Sequence, residues 1–144
     1  MKRQVSFIVG CLLFMWADTA LAAQSADESV KVSKALTLLF DRPDARLTVD
    51  AVAVASDHSL ASWSQSGRGG RALLKRVGGH WQIVLCGGKE LIHVEALKKA
   101  GVPTPDALAI SQRLTSSEQK LPSAKRLAYD NFVMEPGTNH SSGH

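Results

Sequence analysis

The sequence predicts an α+β domain on the strength of its changing hydrophobic period. Apolar residues recur at helical spacing before Pro43, alternate with a period of two from Leu47 to Cys86, and return to helical spacing beyond Gly88. Gly78-Gly79 stands between two apolar-rich runs, where a tight hairpin needs positive φ. Prolines and glycines mark the changes of period. The predicted arrangement is a four-stranded antiparallel meander in chain order, covered on one face by a first helix and the helices after Gly88. A cystatin-like or NTF2-like cone is the nearest named architecture.

Residues 1–22 read as a cleaved signal peptide. Lys2 and Arg3 form a basic start, Phe7 to Trp16 is an apolar run, and Ala20-Leu21-Ala22 supplies a small-x-small cleavage pattern. Ile8-Val9-Gly10-Cys11 resembles a lipoprotein box, but only a handful of apolar residues precede Cys11. A permanent anchor fails on length, since spanning needs about 20 apolar residues and Asp18 interrupts the run. Cleavage of the 144-residue chain leaves a single domain over residues 23–133 and a flexible tail over 134–144. Such a domain buries roughly 65% of its extended surface, enough for one modest core.

Ser25-x-x-Glu28 has capping-box spacing and opens the first helix, whose stripe is Val32, Ala35, Leu36, Leu39 and Phe40. Pro43 ends it. From Leu47 to Gln65 the period is two, with β-branched Thr48, Val49, Val52 and Val54, a polar break at Ser56-Asp57-His58 and a second run Leu60 to Gln65, giving two strands, and Ser66 to Gly70 is a flexible loop. The hairpin comprises Arg71 to Val77 and His80 to Cys86, with Trp81, Ile83 and Leu85 sharing a face. Leu91, Val94 and Leu97 mark a helix ending at Gly101. Thr104-Pro105-Asp106 starts another with an N-cap hydroxyl, a first-turn proline and an acid at the positive end of the dipole. Its apolar positions are Ala107, Ile110, Leu114 and Leu121, and a short last helix runs from Ser123 to Phe132, bearing Leu127 and Phe132. After Met134 too little apolar surface remains to offset ordering entropy.

Charge argues against a nucleic-acid role. The full chain has 17 basic and 13 acidic residues, and losing Lys2, Arg3 and Asp18 leaves 15 and 12, a net of +3. The basic residues form no stripe and no aromatics interleave with them. With Cys11 removed, Cys86 is the sole thiol and no internal disulfide can form.

Met134, His140 and His144 are the leading metal candidates, because thioether and imidazole donors suit copper. The same tail also reads as solvated spacer. Cys86 reads as a small buried hydrophobe at a strand end, or, if exposed before Gly87-Gly88, as a reactive thiol or copper ligand. Ser56-Asp57-His58 holds the residue types of a hydrolase triad, yet consecutive residues on a turn point apart. Gly67-Arg68-Gly69-Gly70-Arg71 lacks the ending of a phosphate loop and precedes a strand. His93 has no zinc-hydrolase spacing, and an enzyme would draw on Asp50, His58 and His80 near the sheet.

Leu39-Phe40-Asp41-Arg42-Pro43 before Leu47-Thr48-Val49, then Trp63, Gly69-Gly70-Arg71-Ala72-Leu73-Leu74, Trp81, Leu85-Cys86-Gly87-Gly88 and Ala100-Gly101-Val102-Pro103, resemble the copper uptake system-associated proteins over about residues 30 to 130. The resemblance implies export to the periplasm and association with copper-transport or copper-resistance membrane proteins. It also implies a Met-, Gly- and His-containing ending, of which Met134, Gly137, His140, Gly143 and His144 look like a sparse version. The expected function is a non-enzymatic accessory of copper uptake or tolerance, binding copper weakly. Its alternative is a small enzyme or ligand-binding module with a pocket on the concave face of the sheet.

Overall fold

The computed structural model describes residues 18–133. In chain order these form α1 (Asp18–Phe40), β1 (Leu47–Ala55), β2 (His58–Gln65), β3 (Arg68–Val77) and β4 (His80–Gly87), then a 3₁₀ turn (Lys89–Ile92), α2 (Val94–Lys99), α3 (Thr104–Glu118) and α4 (Ser123–Asp130). The fold class is α+β, and the sheet is antiparallel with strand order β1-β2-β3-β4. Gly78 and Gly79 take φ of 56° and 80°, the paired positive values of a hairpin turn whose twist matches its strands.

The helices lie on opposite faces of the sheet, where a cover on one face was expected. Ala53, Leu60 and Leu73 pack with Leu91, Leu97, Val102, Ala107, Ile110 and Leu114. Ala61, Ala72, Leu74 and Trp81 pack with Val32 and Leu36 of α1. The physical reason is in β3, where Ala72, Leu73 and Leu74 are consecutive and all buried. Successive strand residues point to opposite faces, so such a run requires a cover on each.

A register shift between Leu73 and Leu74 leaves Val84 as an extra residue in β4, pairing Leu74 with Ile83 and Leu73 with Leu85. The bulge switches the faces beyond it. Ile83 and Cys86 therefore stay on the α1 side with Trp81, while Leu85, expected beside them, is turned away and exposed. A matching shift between Val49 and Ala51 makes Asp50 the odd residue of β1.

Other boundaries moved for local reasons. Ser25 lies inside α1 and not at a cap, its carbonyl accepting from Ser29 Oγ at 2.9 Å. Glu28 reaches across to the hairpin, where Trp81 Nε1 donates to it at 2.9 Å and Arg76 stands 3.2 Å away. The α1 stripe ends at Leu36, since Leu39 and Phe40 are 66% and 37% exposed. Beyond them the Asp41 carboxylate accepts the Leu47 N–H at 2.7 Å and turns the chain into β1. His93 is extended, dividing the expected single helix into the 3₁₀ turn and α2. α3 starts on Pro103 with no side-chain cap, and it ends before Leu121.

The expected loop Ser66 to Gly70 contracts to Ser66-Gly67, because Arg68, Gly69 and Gly70 pair with Gln65, Ser64 and Trp63. Close packing explains these glycines: a Cβ on Gly69 would stand 2.9 Å from the Tyr129 ring, and one on Gly70 2.6 Å from the Phe132 ring. In α4 Tyr129 is the buried anchor, while Leu127 faces solvent. Phe132, just past α4, packs edge-on against Trp63 with ring centroids 5.9 Å apart.

Candidate functional site

Of the residues proposed as metal donors, only Cys86 lies among those described; Met134, His140 and His144 lie outside them. Cys86 pairs with Ala72 across the β3–β4 ladder and packs with the α1-side core, a free and partly buried cysteine. Burial pushes its thiol up from the ordinary 9.0 to about 11. That shift lowers the thiolate population at neutral pH about 100-fold, and the thiolate is both nucleophile and metal ligand. Alkylation of Cys86 at pH 7 is therefore expected to run about 100-fold slower in the folded chain than in urea. Equal rates in the two states would show the sulfur to be open to solvent.

The densest constellation of charge was not among the predicted sites. Arg71, in the interior of β3 and 2% exposed, lies with Glu118 at the end of α3, which is 4% exposed. Arg71 Nε donates to Glu118 Oε1 at 2.8 Å and Nη2 donates to Oε2 at 2.7 Å, a two-pronged pair. Nη1 donates to the Gly88 carbonyl at 3.0 Å and to Asp130 Oδ1 at 2.9 Å. Ser62 Oγ also donates to Glu118, and the guanidinium lies 5.7 Å from the centre of the Tyr129 ring. Burial opposes the Arg71 charge, but Glu118 and then Asp130 outweigh it and hold the guanidinium above its ordinary pKa. One side chain thereby joins β3, α3, α4 and the turn after β4.

Beside it, Asp50 accepts from Ser64 Oγ at 2.8 Å, from Tyr129 Oη at 2.7 Å and from Lys125 Nζ. Burial, and then the bond to Asp50, push the Tyr129 phenol well above its ordinary range. Asp50, one of the residues an enzyme would draw on, here meets the buried Tyr129 together with the partly exposed Ser64 and Lys125. Neither group is visible in local spacing, because Asp50 is 75 and 79 positions from Lys125 and Tyr129, and Arg71 is 47 and 59 positions from Glu118 and Asp130. The one available signal was Arg71 itself, a cation at the head of the apolar run Ala72-Leu73-Leu74.

The other candidates separate. Ser56 and Asp57 form the β1–β2 turn, and His58 begins β2. Ser56 Oγ donates to Asp106 Oδ1 at 3.0 Å, while Asp57 accepts from Arg76 Nε at 3.0 Å. Ser56 and His58 thus both face Asp106, the latter with its Nδ1 3.8 Å from Oδ2, while Asp57 turns to Arg76. His80 and His93 are exposed, and Gly67 to Arg71 runs from turn to strand with no phosphate-loop geometry. Among the described residues, no group of three or more His, Cys, Asp or Glu side chains is placed to hold a metal ion. None of the described helices is long and apolar enough to cross a membrane.

No family model, curated protein or solved structure matches this chain.

Proposed function

We propose that this protein is a periplasmic accessory of copper uptake or tolerance. In this reading Met134, His140 and His144 contact copper weakly, and the α+β domain docks on a copper-transport or copper-resistance membrane protein. The observation that carries the reading is that the charged groups between the sheet, α3 and α4 are paired with one another. The buried Arg71, Glu118 and Tyr129 and the Asp50 carboxylate bond within this set, and the partly exposed Asp130 and Lys125 complete the pairs, as in a scaffold. Met134, His140 and His144 fall close together in the sequence, whereas His58, His80, Cys86 and His93 are spread through the domain. Cys86 is a poor donor, as a partly buried strand-end cysteine is, since a thiol held at about 11 must first lose its proton.

Titration of the full mature chain with Cu(I) under anaerobic conditions, and separately with Cu(II), tests the proposal. Replacing Met134, His140 and His144 together with alanine is expected to abolish one bound copper or weaken it by at least about tenfold. An unchanged stoichiometry and affinity would overturn the tail as the copper contact.

The alternative, a small enzyme or ligand-binding module, gains one observation: ionisable groups do converge at the Asp50–Tyr129–Lys125 cluster. It loses the open concave face it required, because each face of the sheet carries a helical layer.

A further inference from the structure

His58 opens β2 and is 8% exposed, and among the described residues its Nδ1 is the buried side-chain polar atom without a hydrogen-bond partner. A buried nitrogen of that kind is costly to leave unmatched, so what faces it matters. Asp106 Oδ2, in the first turn of α3, stands 3.8 Å away. That exceeds the roughly 2.7–3.2 Å of a hydrogen bond. The other carboxylate oxygen is already taken, since Ser56 Oγ donates to Asp106 Oδ1 at 3.0 Å. An imidazole nitrogen and a carboxylate oxygen therefore look at each other across a gap wider than a hydrogen bond.

Such a gap suits a cation. Two metal–ligand bonds of about 2.1 Å at the tetrahedral angle span about 3.4 Å, so closing the pair by about 0.4 Å would seat one. Ser56 and Asp106 also line a groove of about 930 Å³ between α1 and α3, which gives an entry path from solvent. The surrounding cations are engaged elsewhere. Arg113 donates to the Val54 carbonyl at 2.5 Å, and Arg76 pairs with Asp57 at 2.9 Å. Lys75 is opposite His58 in the β2–β3 register and is exposed, so water screens its charge.

We propose that His58 Nδ1 and Asp106 Oδ2 are the protein ligands of a divalent-cation site at the junction of β2 and α3, with the Ser56 hydroxyl orienting the carboxylate. Imidazole with carboxylate suits a borderline ion such as Zn(II) or Cu(II), with water filling the remaining positions. Two strong protein donors make this a weak, exchangeable site and not a structural one. It is independent of the donors after Val133.

The test uses the full chain carrying His140→Ala and His144→Ala, so that those imidazoles do not compete. Zn(II) is added while the histidine ring resonances are followed by NMR. The His58 ring is expected to shift at lower Zn(II) than the rings of the exposed His80 and His93. Asp106→Asn is expected to raise the midpoint for His58 at least about tenfold, and Ser56→Ala to raise it less. Amide spectra identify a variant that has lost its fold, and the parent titration and Ser56→Ala still decide in that case. A His58 ring that ignores Zn(II), or moves only together with His80 and His93, overturns the site. So does a midpoint unchanged in folded Asp106→Asn. Because the tail histidines are absent throughout, failure here leaves the copper reading standing, and failure of that reading leaves this site standing.

Discussion

Replacing Arg71 with methionine is expected to destabilise the domain by about 3–5 kcal/mol, read as a lowered midpoint of urea unfolding. The size follows from what is left behind. Glu118 would remain a carboxylate at 4% exposure with Ser62 as its surviving donor, and the Gly88 carbonyl and Asp130 would each lose a donor. An uncompensated buried charge costs far more than the pair ever contributed, because burial removes the water that would otherwise solvate it. The double variant Arg71→Met with Glu118→Gln should therefore recover part of the loss. The neutral amide still accepts from Ser62 and no longer needs a counter-charge. If the double variant were as unstable as the sum of the two single ones, the cost would lie in packing around Arg71 and not in stranded charge.

Leu73→Ala and Leu74→Ala are expected to cost about 2–5 kcal/mol each, measured the same way. Both side chains are fully buried, yet they belong to different cores, Leu73 facing α2 and α3 and Leu74 facing α1. Their cavities open on opposite sides of the sheet, so the two losses should add. Domains of this size have about 5–15 kcal/mol of stability, so the double variant should be largely unfolded at room temperature. A double variant no worse than the poorer single one would mean that the two layers collapse as a single core.

The elements were legible because they are written in local periodicity. The switch from helical to alternating spacing located the sheet, and Gly78-Gly79 fixed the hairpin turn that sets the register of its strands. The side each element covers was less legible. Ala72-Leu73-Leu74 carried the information that β3 is buried on both faces, but a short apolar run does not say which helix lies on which side. The Val84 bulge was not legible at all, since the alternation of Trp81, Ile83 and Leu85 reads as unbroken until the ladder is seen. It is the bulge that carries Cys86 to the α1 side, where burial suppresses its thiolate.

The candidate sites divide in the same way. Met134, His140 and His144 are candidates by donor chemistry, which residue type alone displays, and they lie outside the described residues. The Arg71–Glu118–Asp130 and Asp50–Lys125–Tyr129 groups could not be, since their members come from separate strands and helices. His58 reads in sequence as part of a polar turn and as a candidate group near the sheet, but its partner lies 48 positions away at the start of α3.

By itself, then, the sequence determined the α+β class, the strand order and the hairpin turn, all set by neighbours within a few residues of one another. Tertiary structure alone decided that the sheet is covered on both faces, that a bulge re-aims Cys86, and that Arg71 ties β3 to α3 and α4. Those are long-range matters. A side chain's burial, its charge state and its hydrogen-bond partner depend on what packs against it, and packing partners distant in sequence leave no local period to read.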